Sequence, residues 1–144
     1  NEAVNRLGPL LHVDSNLTAF FDRGAKLLLY VGWNDFHNGQ ELIDYYQSLL
    51  RDSGKAARAS ARLFLIPGMG HCYGGAGCDT FDKLAIIDNW VEHGVAPQRI
   101  VASKIEDGKV VRTRPLCAWP QVARYAGKGD IDNADSYACV DVTQ

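Results

Sequence analysis

The residues with the clearest chemical potential are His71 and Asp35. His71 lies in Pro67-Gly68-Met69-Gly70-His71-Cys72-Tyr73-Gly74-Gly75, a glycine-rich loop directly after the apolar run Leu63-Phe64-Leu65-Ile66. Glycines let the backbone turn sharply and expose a side chain that a regular strand would bury. Asp35 closes Gly32-Trp33-Asn34-Asp35, directly after the apolar run from Leu27 to Val31. Residues that follow neighbouring buried strands stand at the same edge of an open α/β sheet, so the two can meet although 36 positions separate them. An aspartate that accepts a hydrogen bond from one imidazole nitrogen fixes the tautomer. The other nitrogen is then free to deprotonate a nucleophile and later to protonate the leaving group. The plainer expectation for Asp35 is a turn or capping residue ahead of the next helix.

The third member of such a triad is not evident. The chain has six serines, Ser15, Ser48, Ser53, Ser60, Ser103 and Ser136, and none sits in a Gly-x-Ser-x-Gly elbow between a strand and a helix. His12, His37 and His93 read as exposed turn or helix-end residues. A metal centre built from His37, His71, Cys72 and Cys78 is disfavoured, because the Cys-x5-Cys spacing is unusual for zinc. Trp33, Phe36 and Tyr73 are close in sequence to Asp35 or His71 and suit either an aromatic pocket or ordinary packing.

The elements that must position these residues alternate strand, helix, strand, helix. Asp14 or Ser15 is expected to cap a short helix through Arg23, stopped by Gly24. Lys26 to Val31 and Arg62 to Ile66 are apolar without alternation, as in parallel strands covered on both faces. Between them Gln40 to Asp52 carries Leu42, Ile43, Tyr46, Leu49 and Leu50 at helical spacing and ends at Ser53-Gly54. After the glycine loop, Asp79 or Thr80 is expected to cap a helix with a stripe of Leu84, Ile87, Trp90 and Val91, closed by His93-Gly94. Asp107-Gly108 then marks a hairpin joining Arg99–Ile105 to Lys109–Thr113. From Arg114 to Val140 little periodicity remains, and a Cys117–Cys139 disulfide would restrain that tail by about 3 kcal/mol. The organisation expected is a connection over 1–24, an α/β core over 25–113 and an irregular tail over 114–144. Two parallel strands are too few for a stable sheet, so further strands are expected before residue 1 or in a partner.

Length and composition agree with one domain or part of one: 144 residues, 47% hydrophobic and 22% charged, with a formal net charge of −2. Basic residues are scattered among acidic ones, which argues against a nucleic-acid partner, and no apolar run approaches a membrane span. The chain begins with asparagine and no signal segment precedes it, so it reads as processed or cut, a piece of something longer. Four cysteines without a CxxC pair favour disulfides and an oxidising compartment. The sequon Asn16-Leu17-Thr18 makes Asn16 a candidate glycosylation site and agrees with secretion.

Several segments resemble the tannase and feruloyl esterase family of α/β hydrolases. They are Gly24-Ala25-Lys26-Leu27-Leu28-Leu29-Tyr30, Gly32-Trp33-Asn34-Asp35, Ile43-Asp44-Tyr45-Tyr46, Pro67-Gly68-Met69-Gly70-His71-Cys72, Trp90-Val91-Glu92-His93-Gly94-Val95-Ala96-Pro97, Thr113-Arg114-Pro115-Leu116-Cys117 and Ala123-Arg124-Tyr125-Ala126-Gly127-Lys128-Gly129-Asp130. The resemblance runs from about Asp14 to Cys139. It implies the C-terminal part of an α/β-hydrolase core, with Asp35 as triad acid, His71 as triad base, and the serine nucleophile upstream of this chain. It further implies that Cys72 bonds an upstream cysteine beside that serine, that Cys117 pairs with Cys139, and that any calcium belongs to an upstream lid. Cys78 has no counterpart in the family pattern, and Asn34 replaces a small residue. The function so implied is that of a secreted serine carboxylic ester hydrolase acting on feruloyl- or galloyl-type aromatic esters, with this chain inactive alone. The alternative is a non-catalytic structural or binding fragment of a related hydrolase.

Overall fold

The computed structural model describes residues 5, 6, 8, 12–37 and 39–142; parts of the expected 1–24 connection lie outside the described residues. Its centre is a parallel pair, β1 (Leu27–Gly32) and β2 (Ala61–Ile66), in register from Leu27 opposite Ala61 to Gly32 opposite Ile66. Side chains alternate across a strand, and both faces of β2 are apolar. Leu63 joins Ile43, Tyr46, Leu49 and Ala57 in one core, while Phe64 and Ile66 join Met69, Ile100, Ala102 and Leu116 in another. Continuous apolarity is thus the signature of a strand sandwiched between two layers. On its outer edge β1 has no partner strand among the described residues.

One layer is helical. The single turn α1 (Thr18–Phe21) is followed after β1 by α2 (Gly39–Asp52), which buries Ile43, Tyr46 and Leu49 as its periodicity requires. A further helix, α3 (Gly54–Ser60), follows the expected stop, because Lys55-Ala56-Ala57-Arg58-Ala59 is rich in good helix formers and Gly54 absorbs the left-handed link at φ +55°. The expected capping of α1 by Asp14 or Ser15 does not occur. Asp14 Oδ1 accepts from the Asn16 amide at 2.8 Å, and Ser15 Oγ donates to Asp52 at 2.6 Å, so both side chains are already engaged.

The helix after the glycine loop, α4 (Lys83–His93), is capped by Asp82, whose carboxylate accepts from the Ala85 amide at 2.9 Å, and ends at Gly94 with φ 71°. Asp79 and Thr80 do not cap it. Asp79 Oδ2 takes the Gly74 amide at 2.6 Å, and Thr80 exchanges both main-chain hydrogen bonds with Ser103. The expected stripe is also corrected: Trp90 is buried under Lys26 and Arg62, whereas Leu84 is 79% exposed and Val91 also faces outward.

The second layer is a hairpin of β3 (Arg99–Glu106) and β4 (Lys109–Cys117), turned at Asp107 and Gly108, both with positive φ as a two-residue turn demands. Beyond the expected Thr113 end, β4 continues to Cys117. Ala118 then bridges to Phe64, and the Trp119 amide donates to Leu63 O at 2.8 Å, which attaches the hairpin to β2. The tail is not irregular. β5 (Val122–Tyr125) pairs antiparallel with β6 (Tyr137–Val140). Cys117 is disulfide-bonded to Cys139, and Asp132 accepts from both Arg112 and Arg114 on β4.

Candidate active site

The end of β1 and the loop after β2 form one hydrogen-bonded unit. The Trp33 amide donates to Ile66 O at 2.9 Å and the Asn34 amide to Met69 O at 3.0 Å, while Asp35 N returns to Gly32 O at 3.1 Å in a tight turn. Met69 is fully buried and anchors the loop. Past it the chain folds back on itself, with the Gly70 amide donating to Gly74 O at 3.0 Å and the Gly77 amide to Gly68 O at 3.0 Å. His71 stands at the tip of this doubled-back loop.

Asp35 Oδ2 lies 2.8 Å from His71 Nδ1, and Asp35 Oδ1 accepts from the His37 amide at 2.9 Å. Both carboxylate oxygens are engaged, which fixes the plane of the group. The Asp35 side chain is 6% exposed and that of His71 is 53% exposed. The His37 amide, followed by the His71 ring and nearby imidazole charge, holds the Asp35 carboxyl below its ordinary value of 3.8, partly opposed by burial. An ionised Asp35 is an acceptor only, so Nδ1 carries the proton, and in the neutral imidazole Nε2, on the far side of the ring, presents a lone pair. That arrangement can take a proton from a hydroxyl brought to Nε2.

Two further residues stand beside this pair: Phe36, which the sequence offered for an aromatic pocket or for packing, and His37, which it offered as an exposed turn residue. The Phe36 ring lies 4.9 Å from that of His71, and the His37 ring is 4.2 Å from Phe36 and 5.4 Å from His71. His37 is exposed, as expected, but its main chain belongs to the site. The available signal was the Asx turn that an aspartate makes with the residue two positions on. Trp33, Phe36 and Tyr73 are all exposed and none joins either buried core cluster, although the Trp33 ring lies over Gly39.

An open groove of about 710 Å³ runs from Val13 and Tyr45 along the unpaired edge of β1 to Asp35, His71 and Cys72. Cys72 is exposed with a free thiol at φ 66°, and no bond joins it to Cys78, which is buried and also free. Burial pushes the Cys78 thiol up from its ordinary range. None of the six serine hydroxyls is hydrogen-bonded to His71 among the described residues. Among those residues no three histidine, cysteine or carboxylate side chains converge as a cage for a cation. Asn16 is exposed, with its Oδ1 accepting from Thr18 Oγ1 at 2.8 Å.

Residues 1–140 match the family of tannase and feruloyl esterase. The chain belongs to that family. It is 46% identical over 129 residues to mono(2-hydroxyethyl) terephthalate hydrolase of Piscinibacter sakaiensis, covering 87% of this chain and 21% of that protein. To feruloyl esterase B of Aspergillus niger it is 32% identical over 146 residues, covering 88% and 28%. Among solved structures, it superposes on feruloyl esterase B from Aspergillus oryzae with a TM-score of 0.79 at 27% identity, covering 88% of this chain and 29% of that one. The tannin acyl hydrolase from Aspergillus niger follows at 0.73 and 26% identity, covering 88% and 24%. This member of the tannase and feruloyl esterase family thus spans under a third of the length of these relatives. It shares their mixed helix and strand architecture.

Proposed function

We propose that this chain is the C-terminal part of the α/β-hydrolase core of a secreted serine carboxylic ester hydrolase acting on feruloyl- or galloyl-type aromatic esters. His71 is its general base and then general acid, and Asp35 is the carboxylate that orients it. The observation that carries the reading is the 2.8 Å contact between Asp35 Oδ2 and His71 Nδ1, with the second carboxylate oxygen held by the His37 amide. A base oriented in this way leaves Nε2 free for a serine hydroxyl.

The serine belongs to polypeptide outside this chain, in the region the relatives have and this segment does not cover. Attack by its Oγ on the ester carbonyl transfers the hydroxyl proton to His71 Nε2. Collapse of the tetrahedral intermediate returns that proton to the departing alcohol and leaves an acyl serine, which water cleaves by the same proton path. Cys72, one residue after His71, bonds a cysteine beside that serine and so restrains the two groups together, a reading that its exposed free thiol supports. The Cys117–Cys139 disulfide and the exposed Asn16 sequon support an oxidising, extracellular setting.

The test is an assay of the full-length protein on methyl ferulate and methyl gallate, with His71→Ala beside the parent. A fall in turnover of about three or more orders of magnitude supports the assignment. Undiminished turnover in that variant would sink it.

A further inference from the structure

The turn that fixes Asp35 also delivers an aromatic ring to the face of His71. Asp35 Oδ1 takes the His37 amide, closing an Asx turn over Phe36. The ring of Phe36 then lies with its centroid 4.9 Å from the imidazole centroid, tilted by 37°. Apart from His37 at 4.2 Å, that imidazole is the other ring Phe36 meets, and Phe36 is otherwise 79% exposed. Phe36 contributes nothing to either core cluster, so packing does not account for its placement.

An imidazole held by one hydrogen bond from Nδ1 can still swing about its side-chain torsions, and half of His71 is open to solvent. The loop beneath it is glycine-rich, which leaves little side-chain bulk to restrain the ring. A flat ring against one face removes that freedom and keeps water from that side of the Nδ1–Asp35 bond. Contact between flat rings at this separation is favourable beyond the area it buries, enough to bias one rotamer over another.

We infer that Phe36 is a positioning residue for His71, confining the imidazole to the rotamer in which Nδ1 meets Asp35 and Nε2 faces the reacting group. The inference rests on the assignment of His71 as general base. Catalytic rates are steep in geometry, with misplacement by about 1 Å costing as much as 100-fold. A phenyl ring carries no group that can exchange the proton, so in a positioning role its loss should lower turnover without weakening substrate binding.

The experiment compares Phe36→Ala, Phe36→Tyr and His71→Ala in the full-length protein, with methyl ferulate turnover and the downfield proton resonance of the His71 Nδ1–H as readouts. Phe36→Ala should lower kcat about 10-fold with KM within about 2-fold, and should broaden the Nδ1–H resonance by hastening its exchange with water. Phe36→Tyr, which restores a flat ring, should recover both. Because Phe36 is outside the cores, folding should be intact in each variant. A His71→Ala variant that loses activity beside a fully active Phe36→Ala variant would overturn the inference and leave the base assignment standing. A rise in KM alone would also overturn it, by making Phe36 a substrate contact. Activity surviving His71→Ala would refute the base assignment instead, and an Nδ1–H resonance unchanged in Phe36→Ala would then refute the positioning role separately.

Discussion

Gly32, the last residue of β1, packs its α-carbon against the main-chain carbonyl of Gly70, the residue before His71. A Cβ at position 32 would overlap the carbonyl oxygens of both Gly70 and Met69. The two strand ends that carry Asp35 and His71 are therefore in main-chain contact, and the absence of a side chain at Gly32 permits it.

Gly32→Ala should push the 69–71 loop away from β1 and cost about 1–3 kcal/mol, as overpacking at a site that cannot relax does. Thermal or urea unfolding measures the cost. The same variant should lengthen the Asp35–His71 contact, so a lower stability with unchanged turnover in the full-length protein would separate the packing role from the site.

Asp35→Asn removes the acceptor that selects the Nδ1–H tautomer. Turnover of the full-length protein should fall on the order of 10⁴-fold while KM changes little. Steady-state kinetics on methyl ferulate decide it, and a loss of only a few-fold in a folded variant would reduce Asp35 to a turn residue.

The pH dependence of stability has a definite sign. The folded-state pKa of Asp35 lies below its ordinary value of 3.8, so on acidification the unfolded chain binds the proton before the folded chain does. The stabilisation from this carboxylate is complete above the unfolded value and disappears as the pH falls through the folded one. Urea denaturation of the parent and Asp35→Asn should show a constant gap above about pH 5 that narrows below it. A gap that widened on acidification would contradict the assignment of Asp35 as a hydrogen-bonded carboxylate.

Cys117 and Cys139 close a loop with a sequence separation of 22. Replacing both by serine should cost about 3 kcal/mol in unfolding free energy and expose the β5–β6 hairpin to proteolysis first. Peptide mapping without reduction should recover the two joined, and Cys78 as a free thiol protected by burial.

The 144-residue chain by itself should not hydrolyse methyl ferulate or methyl gallate, since no serine hydroxyl meets His71. Turnover that survives purification and vanishes in His71→Ala would place a nucleophile within this segment.

The sequence by itself determined the parts whose signals are local or strongly patterned. Unbroken apolarity at Leu27–Val31 and Leu63–Ile66 specifies strands with two covered faces, and Asp107-Gly108 specifies a two-residue turn whatever surrounds it, because both residues must take positive φ. The positions of Asp35 and His71 just past those strands put both at one sheet edge. Tertiary structure decided the rest, where one side chain had several possible partners. The sequence pointed to Asp79 or Thr80 as the cap of α4, but the Gly74 amide claims Asp79 and Thr80 pairs with Ser103, so Asp82 caps the helix instead. The helical period placed Leu84 and Trp90 on α4 but not which of them faces the core, since Lys26 and Arg62 supply the cover for Trp90 from other elements. The four-residue strands β5 and β6 carry little pattern of their own, and the disulfide and Asp132 hold them against β4. The ring contact of Phe36 with His71 likewise depends on two loops meeting, which periodicity within either loop does not record.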